Sequence, residues 1–150
     1  CRLSSHGVAS GLSLRESRGS TALAAALSAT GASRQVFDLA PSQGWELRVS
    51  PWVLREIQDN LADKPRAAVA AWLAMRGKVI VEDDVLTFDW PLVFDVTKDK
   101  PVLCTALACA DVLLTLDRRD FGSLLGQTVY DLLIQRPGEF LRIEREAGRI

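Results

Sequence analysis

The sequence predicts an α/β fold, a central and mostly parallel sheet flanked by helices on both faces. Three observations carry that prediction. Segments with helical apolar spacing alternate with short apolar runs. Val112-Leu113-Leu114-Thr115-Leu116 is almost wholly apolar, as a central strand buried on both faces should be. Ser50-Pro51 is a well-formed helix start, a capping hydroxyl followed by proline at the first helical position. With 150 residues and 48% hydrophobic content, the chain suits one domain with a real core.

Residues 1–20 are rich in Ser, Gly and Arg and show no periodicity, so they are expected to be irregular, ahead of a domain spanning 21–150. Residues 21–29 (TALAAALSA) read as a helix ended by Gly31, and 34–40 as a second short helix. Pro41 to Gly44 is expected to turn, and Trp45 to Val49 to form a strand. From Ser50 onward, Val53, Leu54, Ile57 and Leu61 recur at helical spacing. Pro65 opens the next helix, with Trp72 on its apolar side and Gly77 as its stop. Lys78 to Glu82 is a strand, and 83–98 a long connection. Asp99 opens and can cap a helix whose inner side holds Val102, Leu103, Ala106, Leu107 and Ala110. After the strand at 112–116, residues 121–126 are a loop or short helix, 128–134 a single strand, and Pro137 starts the last helix. There is no internal repeat.

The formal net charge of −1 demands no nucleic-acid partner, although local patches stay open. Of 18 basic residues only four are Lys. Arg suits bidentate phosphate contacts, but GC-rich coding produces the same bias and is the preferred explanation. Cys1, Cys104 and Cys109 form no metal signature, and the thiols are expected to be reduced, in an intracellular, cytoplasmic protein. No apolar run reaches membrane-spanning length, and the first residues lack a signal-peptide core. A chain beginning with Cys is expected to be a fragment, a processed product or a translation begun out of place.

Four carboxylates stand where α/β folds display chemistry: Glu56 within a helix, Asp99 at a helix start, Asp117 at a strand end, and Asp120 three residues later. Two such charges at 4 Å repel by roughly 4 kcal/mol at an effective dielectric of 20. If the strand order gathers them, a hard cation such as Mg²⁺ or Mn²⁺ compensates, polarises a phosphate and activates water. Taken singly, each acid has a plainer reading. Asp99 serves as a cap, Asp117 as a solvated loop residue, Asp120 as a partner of Arg118 or Arg119, and Glu56 as a helix-surface residue.

Three segments together resemble a PIN domain: Ser50-Pro51-Trp52-Val53-Leu54-Arg55-Glu56-Ile57, then Asp99-Lys100-Pro101-Val102-Leu103, then Leu114-Thr115-Leu116-Asp117-Arg118-Arg119-Asp120-Phe121. Pro137-Gly138-Glu139-Phe140-Leu141 is similar to that family's closing P-x-x-F-L, and Leu27 to Arg34 resembles the segment after its first strand. The likeness spans roughly residues 21–145. It implies a metal-dependent ribonuclease, often the toxin of a bacterial toxin–antitoxin pair. Glu56, Asp99 and Asp117 would be the metal-coordinating acids, with Asp120 assisting and Thr115 orienting water or a ligand beside them. Arg118 and Arg119 would contact RNA phosphates, or simply balance Asp117 and Asp120. The implied partners are RNA, an antitoxin protein and a second copy of the chain, with no membrane.

The family pattern also has an Asp at the end of its first strand. Here that register falls near Arg18-Gly19-Ser20, and the only acid before Asp38 is Glu16. Residues 10–18 also look too polar for a buried mid-sheet strand. The expectation is therefore that the first strand and its acid are missing and that cleavage is weak or absent. Three explanations stand: a lost or frameshifted start leaving foreign residues 1–20, a degenerate relative that binds RNA or a protein, or substitution by Glu16 or an unrelated acid. The composition change and the first residue favour the lost start. Other chemistries are excluded more simply. His6 is the only His, in the irregular segment, and no glycine-rich phosphate loop appears in a strand–loop–helix context.

Overall fold

In the computed structural model the described residues are 31–62, 64–92, 99–116 and 118–150, together with 13–16, which like Asn60 are described by backbone alone. The chain is mixed α/β. Its elements run β1 (Ser13–Glu16), α1 (Ala32–Gln43), β2 (Glu46–Val49), α2 (Pro51–Leu61), α3 (Arg66–Arg76) and β3 (Ile80–Val81). They continue with α4 (Lys100–Cys109), β4 (Val112–Leu114), α5 (Arg118–Phe121), β5 (Thr128–Val129), β6 (Leu132–Gln135) and α6 (Pro137–Glu146). The strands join in the order β3-β2-β1-β4-β6-β5. All pairings are parallel except β5 with β6.

The expected loss of the first strand is corrected by β1. It lies in mid-sheet, with Leu14 in register with Leu47 on one side and Val112 on the other. Parallel pairing uses only backbone N–H and C=O groups, which polar residues supply as well as apolar ones. Without β1, β2 and β4 would each present an open edge. The expected helix at 21–29, the remainder of the irregular segment and His6 lie outside the described residues.

Other boundaries shift for identifiable reasons. α1 runs through Pro41 to Gln43, because a proline in the last turn removes only one hydrogen bond. Gly44 then ends the helix at φ 69°, a conformation that costs glycine little. The single strand expected over 128–134 is instead a hairpin. Tyr130 and Asp131 occupy its two turn positions at φ 47° and 71°, so the chain reverses between β5 and β6. The start of α2 is as expected: the Val53 N–H donates to Ser50 Oγ at 3.4 Å, with Pro51 in the first turn.

Alternate residues of β4 reach two apolar clusters, as the period of a strand requires. Val112 and Leu114 join the larger cluster with Val36 and Phe37 of α1, Val53 and Ile57 of α2, Trp72 of α3 and Phe140 of α6. Within it the Trp45 and Phe140 rings meet edge-on at 5.1 Å. Leu113 joins Leu103 and Ala106 of α4, Phe121 of α5, and Leu132 and Ile134 of β6. Trp52 packs half-buried against the larger cluster with the Arg55 guanidinium 5.6 Å from its ring centre. Among the described residues no helix is long and apolar enough to cross a membrane.

The turn after α5 depends on Gly122. A Cβ there would sit 2.3 Å from the Arg118 carbonyl oxygen. Gly122→Ala is expected to destabilise by about 1–3 kcal/mol, because backbone must move to make room. Urea unfolding checks this, and an unchanged midpoint would contradict it.

Candidate active site

Sheet topology decides where chemistry is most readily displayed. From β1 the chain moves outward through β2 and β3, then returns to place β4 on the other side of β1 and continues through β6 and β5. The carboxyl ends of β1 and β4 therefore flank a topological switch point, the usual ligand crevice of an open α/β sheet. Register sets Glu16, the last residue of β1, beside Leu114, the last residue of β4.

Asp99 immediately precedes α4. That helix leads through a short connection into the amino end of β4, so its own first turn lies back toward the carboxyl edge. Asp99 is only 1% exposed. Its backbone is helical (φ −96°, ψ 0°), and its side chain makes no capping hydrogen bond, which corrects the capping reading. A cap needs an extended residue whose side chain turns back over the first turn. Glu56 is half-buried on α2, which packs against α4.

Thr115, fully buried, follows β4, and its N–H donates to the Gln135 carbonyl at 3.0 Å, extending the pairing with β6. Asp117 lies outside the described residues. Arg118 and Arg119 are exposed on α5, and Asp120 is half-buried between them and Phe121. Switch point and helix start thus bring Asp99, Thr115 and Leu116 toward one edge of the sheet. Among the described residues, no group of three or more His, Cys, Asp or Glu side chains is placed to hold a metal ion. The donor set itself consists of carboxylate oxygens, which suit Mg²⁺ or Mn²⁺ rather than a soft metal.

Two residues that support this edge escaped sequence reasoning. Asp84 Oδ1 accepts the Trp52 N–H at 3.1 Å, and its Oδ2 accepts from Arg55 at 3.2 Å, so it holds the start of α2 alongside Ser50. The acidic run Glu82-Asp83-Asp84 after a strand was its only signal. Thr105 Oγ1 donates to the Pro101 carbonyl at 2.7 Å and accepts the Val85 N–H at 2.8 Å, tying the long connection to α4.

Cys104, next to Thr105, is fully buried, while Cys109 is half-buried, and neither forms a disulfide. Burial pushes the Cys104 thiol up, with Lys100 partly offsetting it. A raised thiol contributes fully to stability below the ordinary thiol range, and that contribution is lost as pH rises from about 8.5 through the raised value. Under native conditions iodoacetamide is expected to modify Cys109 well before Cys104, with the difference abolished in urea. Equal native labelling, read by peptide mass mapping, would contradict the burial.

Comparison with protein-family models, with curated proteins and with solved structures found no match to this chain.

Proposed function

We propose that this chain is a PIN-like domain, its sheet covered by helices on both faces, that hydrolyses RNA phosphodiester bonds with Mg²⁺ or Mn²⁺ as the toxin of a toxin–antitoxin pair. The observation that carries the reading is the buried Asp99 at the carboxyl edge of a sheet whose switch point lies between β1 and β4. Asp99, Asp117 and Glu56 would hold the cation, with Asp120 assisting. Glu16 ends β1 in register with Leu114 at the end of β4, and would substitute for the first acid that the pattern has near Arg18-Gly19-Ser20. When bound, the cation would polarise the scissile phosphate and lower the pKa of an attacking water.

The chain's own residues have separate tasks. The carboxylates hold charge in a part-buried edge and accept the proton of the attacking water. Arg118 and Arg119, exposed on α5, hold the RNA backbone through planar donor pairs. Thr115, locked behind the edge by its pairing with Gln135, fixes where the residues after β4 emerge.

A second reading, a catalytically impaired module that binds RNA or a protein, is favoured by one observation: no Asp precedes Asp38. Incubating the chain with single-stranded RNA in Mn²⁺, with chelator as the control, separates the two. Cleavage that the chelator abolishes is the expected result. RNA that stays intact at high enzyme excess would favour the impaired module.

A further inference from the structure

The opposite edge of the sheet carries a surface that the nuclease reading does not use. β6 runs parallel to β4, so the Tyr130–Asp131 turn before it lies at the amino edge, away from the acids. There Tyr130 meets Trp90 with ring centres 4.9 Å apart, and Phe88 lies 5.4 Å from Trp90 and 6.1 Å from Tyr130. Trp90 remains 46% and Tyr130 41% exposed. The Tyr130 hydroxyl donates to the Pro91 carbonyl, fixing the long connection to the hairpin.

Tyr130 is also held at φ 47°, a left-handed conformation that a bulky side chain avoids and that Asn or Gly normally fills in such a turn. A strained turn that holds a large ring half in water is poor design for stability alone. The surrounding charge says what the platform suits. Residues 82–92 and 127–133 contain five acids and no Lys or Arg; Glu82 and Asp84 are paired with Arg48 and Arg55, which leaves Asp83, Asp89 and Asp131. Asp83, Asp89 and Asp131 among them are exposed.

Carboxylates beside exposed aromatic faces repel phosphate and attract guanidinium, which stacks on the rings and pairs with the acids. The rings touch one another, so they offer a surface rather than a cage for a small cation. We infer that the Phe88–Trp90–Tyr130 platform, with the exposed Asp89 and Asp131 next to its rings in the chain, docks an arginine-bearing segment of a partner protein. The inference stands apart from the nuclease reading, because none of these residues belongs to the acidic edge.

The test is fluorescence anisotropy with a labelled octapeptide of alternating Gly and Arg. The Gly–Lys equivalent and an oligouridine of similar length serve as comparisons. The Arg peptide is expected to bind more tightly than the Lys peptide. Trp90→Ala should weaken it by about 10-fold or more, and Asp131→Asn by about threefold. Tyr130→Asn, which suits the turn and so keeps the fold, should weaken it comparably to Trp90→Ala, and RNA cleavage should be unchanged in all three variants. Four results would overturn the assignment: no saturable binding of the Arg peptide, binding indifferent to Trp90→Ala and Tyr130→Asn, tighter binding of oligouridine that those variants abolish, or a dimer in sedimentation that Trp90→Ala dissolves.

Discussion

Asp99→Asn is expected to lower metal-dependent RNA cleavage by at least about 100-fold. Loss of a group that merely supports a metal ligand costs about 10–100-fold, and loss of a ligand should cost no less. The substitution keeps the size of the side chain and removes its charge, at a position 1% exposed at the start of α4. Its effect should therefore fall on cation affinity rather than on packing. A second readout tests that split. An ion that binds the folded state alone stabilises it by about 2.7 kcal/mol at 100 times its Kd, so Mn²⁺ should raise the melting temperature of the parent chain and not that of Asp99→Asn. Asp59→Asn, exposed on α2, should behave like the parent. Equal cleavage by the parent and Asp99→Asn would remove Asp99 from the site.

Phe121→Ala is expected to cost about 3–5 kcal/mol, the range for emptying a buried aromatic position. Phe121 is fully buried in the cluster that joins Leu103 and Ala106 of α4 to Leu113 of β4 and Ile134 of β6. At about 2–4 °C per kcal/mol for a domain of this size, melting should fall by roughly 10 °C. The same ring anchors α5, which carries Arg118, Arg119 and Asp120. Cleavage should thus decline even at temperatures where the variant remains folded. Urea unfolding gives the first number, and a loss below about 1 kcal/mol would show that the cluster repacks around the gap.

How legible each feature was depended on how local its cause is. Ser50 and Pro51 announce α2 because capping is settled within four residues. β4 announces itself because Val112, Leu113 and Leu114 form a continuous apolar run, and all three are buried. β1 was hidden for the opposite reason. Its place is set by two distant neighbours through backbone hydrogen bonds, and Ser13-Leu14-Arg15-Glu16 carries no apolar run to betray it.

The β5–β6 reversal was hidden because Tyr130-Asp131 lacks the Asn or Gly that normally marks such a turn. In the candidate site, Glu56, Asp99 and Asp120 were picked out by their positions relative to elements. Asp84 and Thr105 were missed because their partners lie 32 and 20 residues away. The capping role suggested for Asp99 failed because a helix start in sequence does not reveal its backbone angles, and those angles decide whether a carboxylate turns back onto the first turn.

Carboxylates at the β1–β4 switch point are proposed to hold a divalent cation. Titrating Mn²⁺ into the chain while following free Mn²⁺ by electron paramagnetic resonance tests it without reference to any RNA. Mn²⁺ is predicted to be retained by the parent and by Asp59→Asn. Asp99→Asn, Asp117→Asn and Glu16→Gln should each release it, because each removes one carboxylate of the proposed site. A parent chain that leaves all the Mn²⁺ free, or five proteins that retain it equally, would contradict the claim.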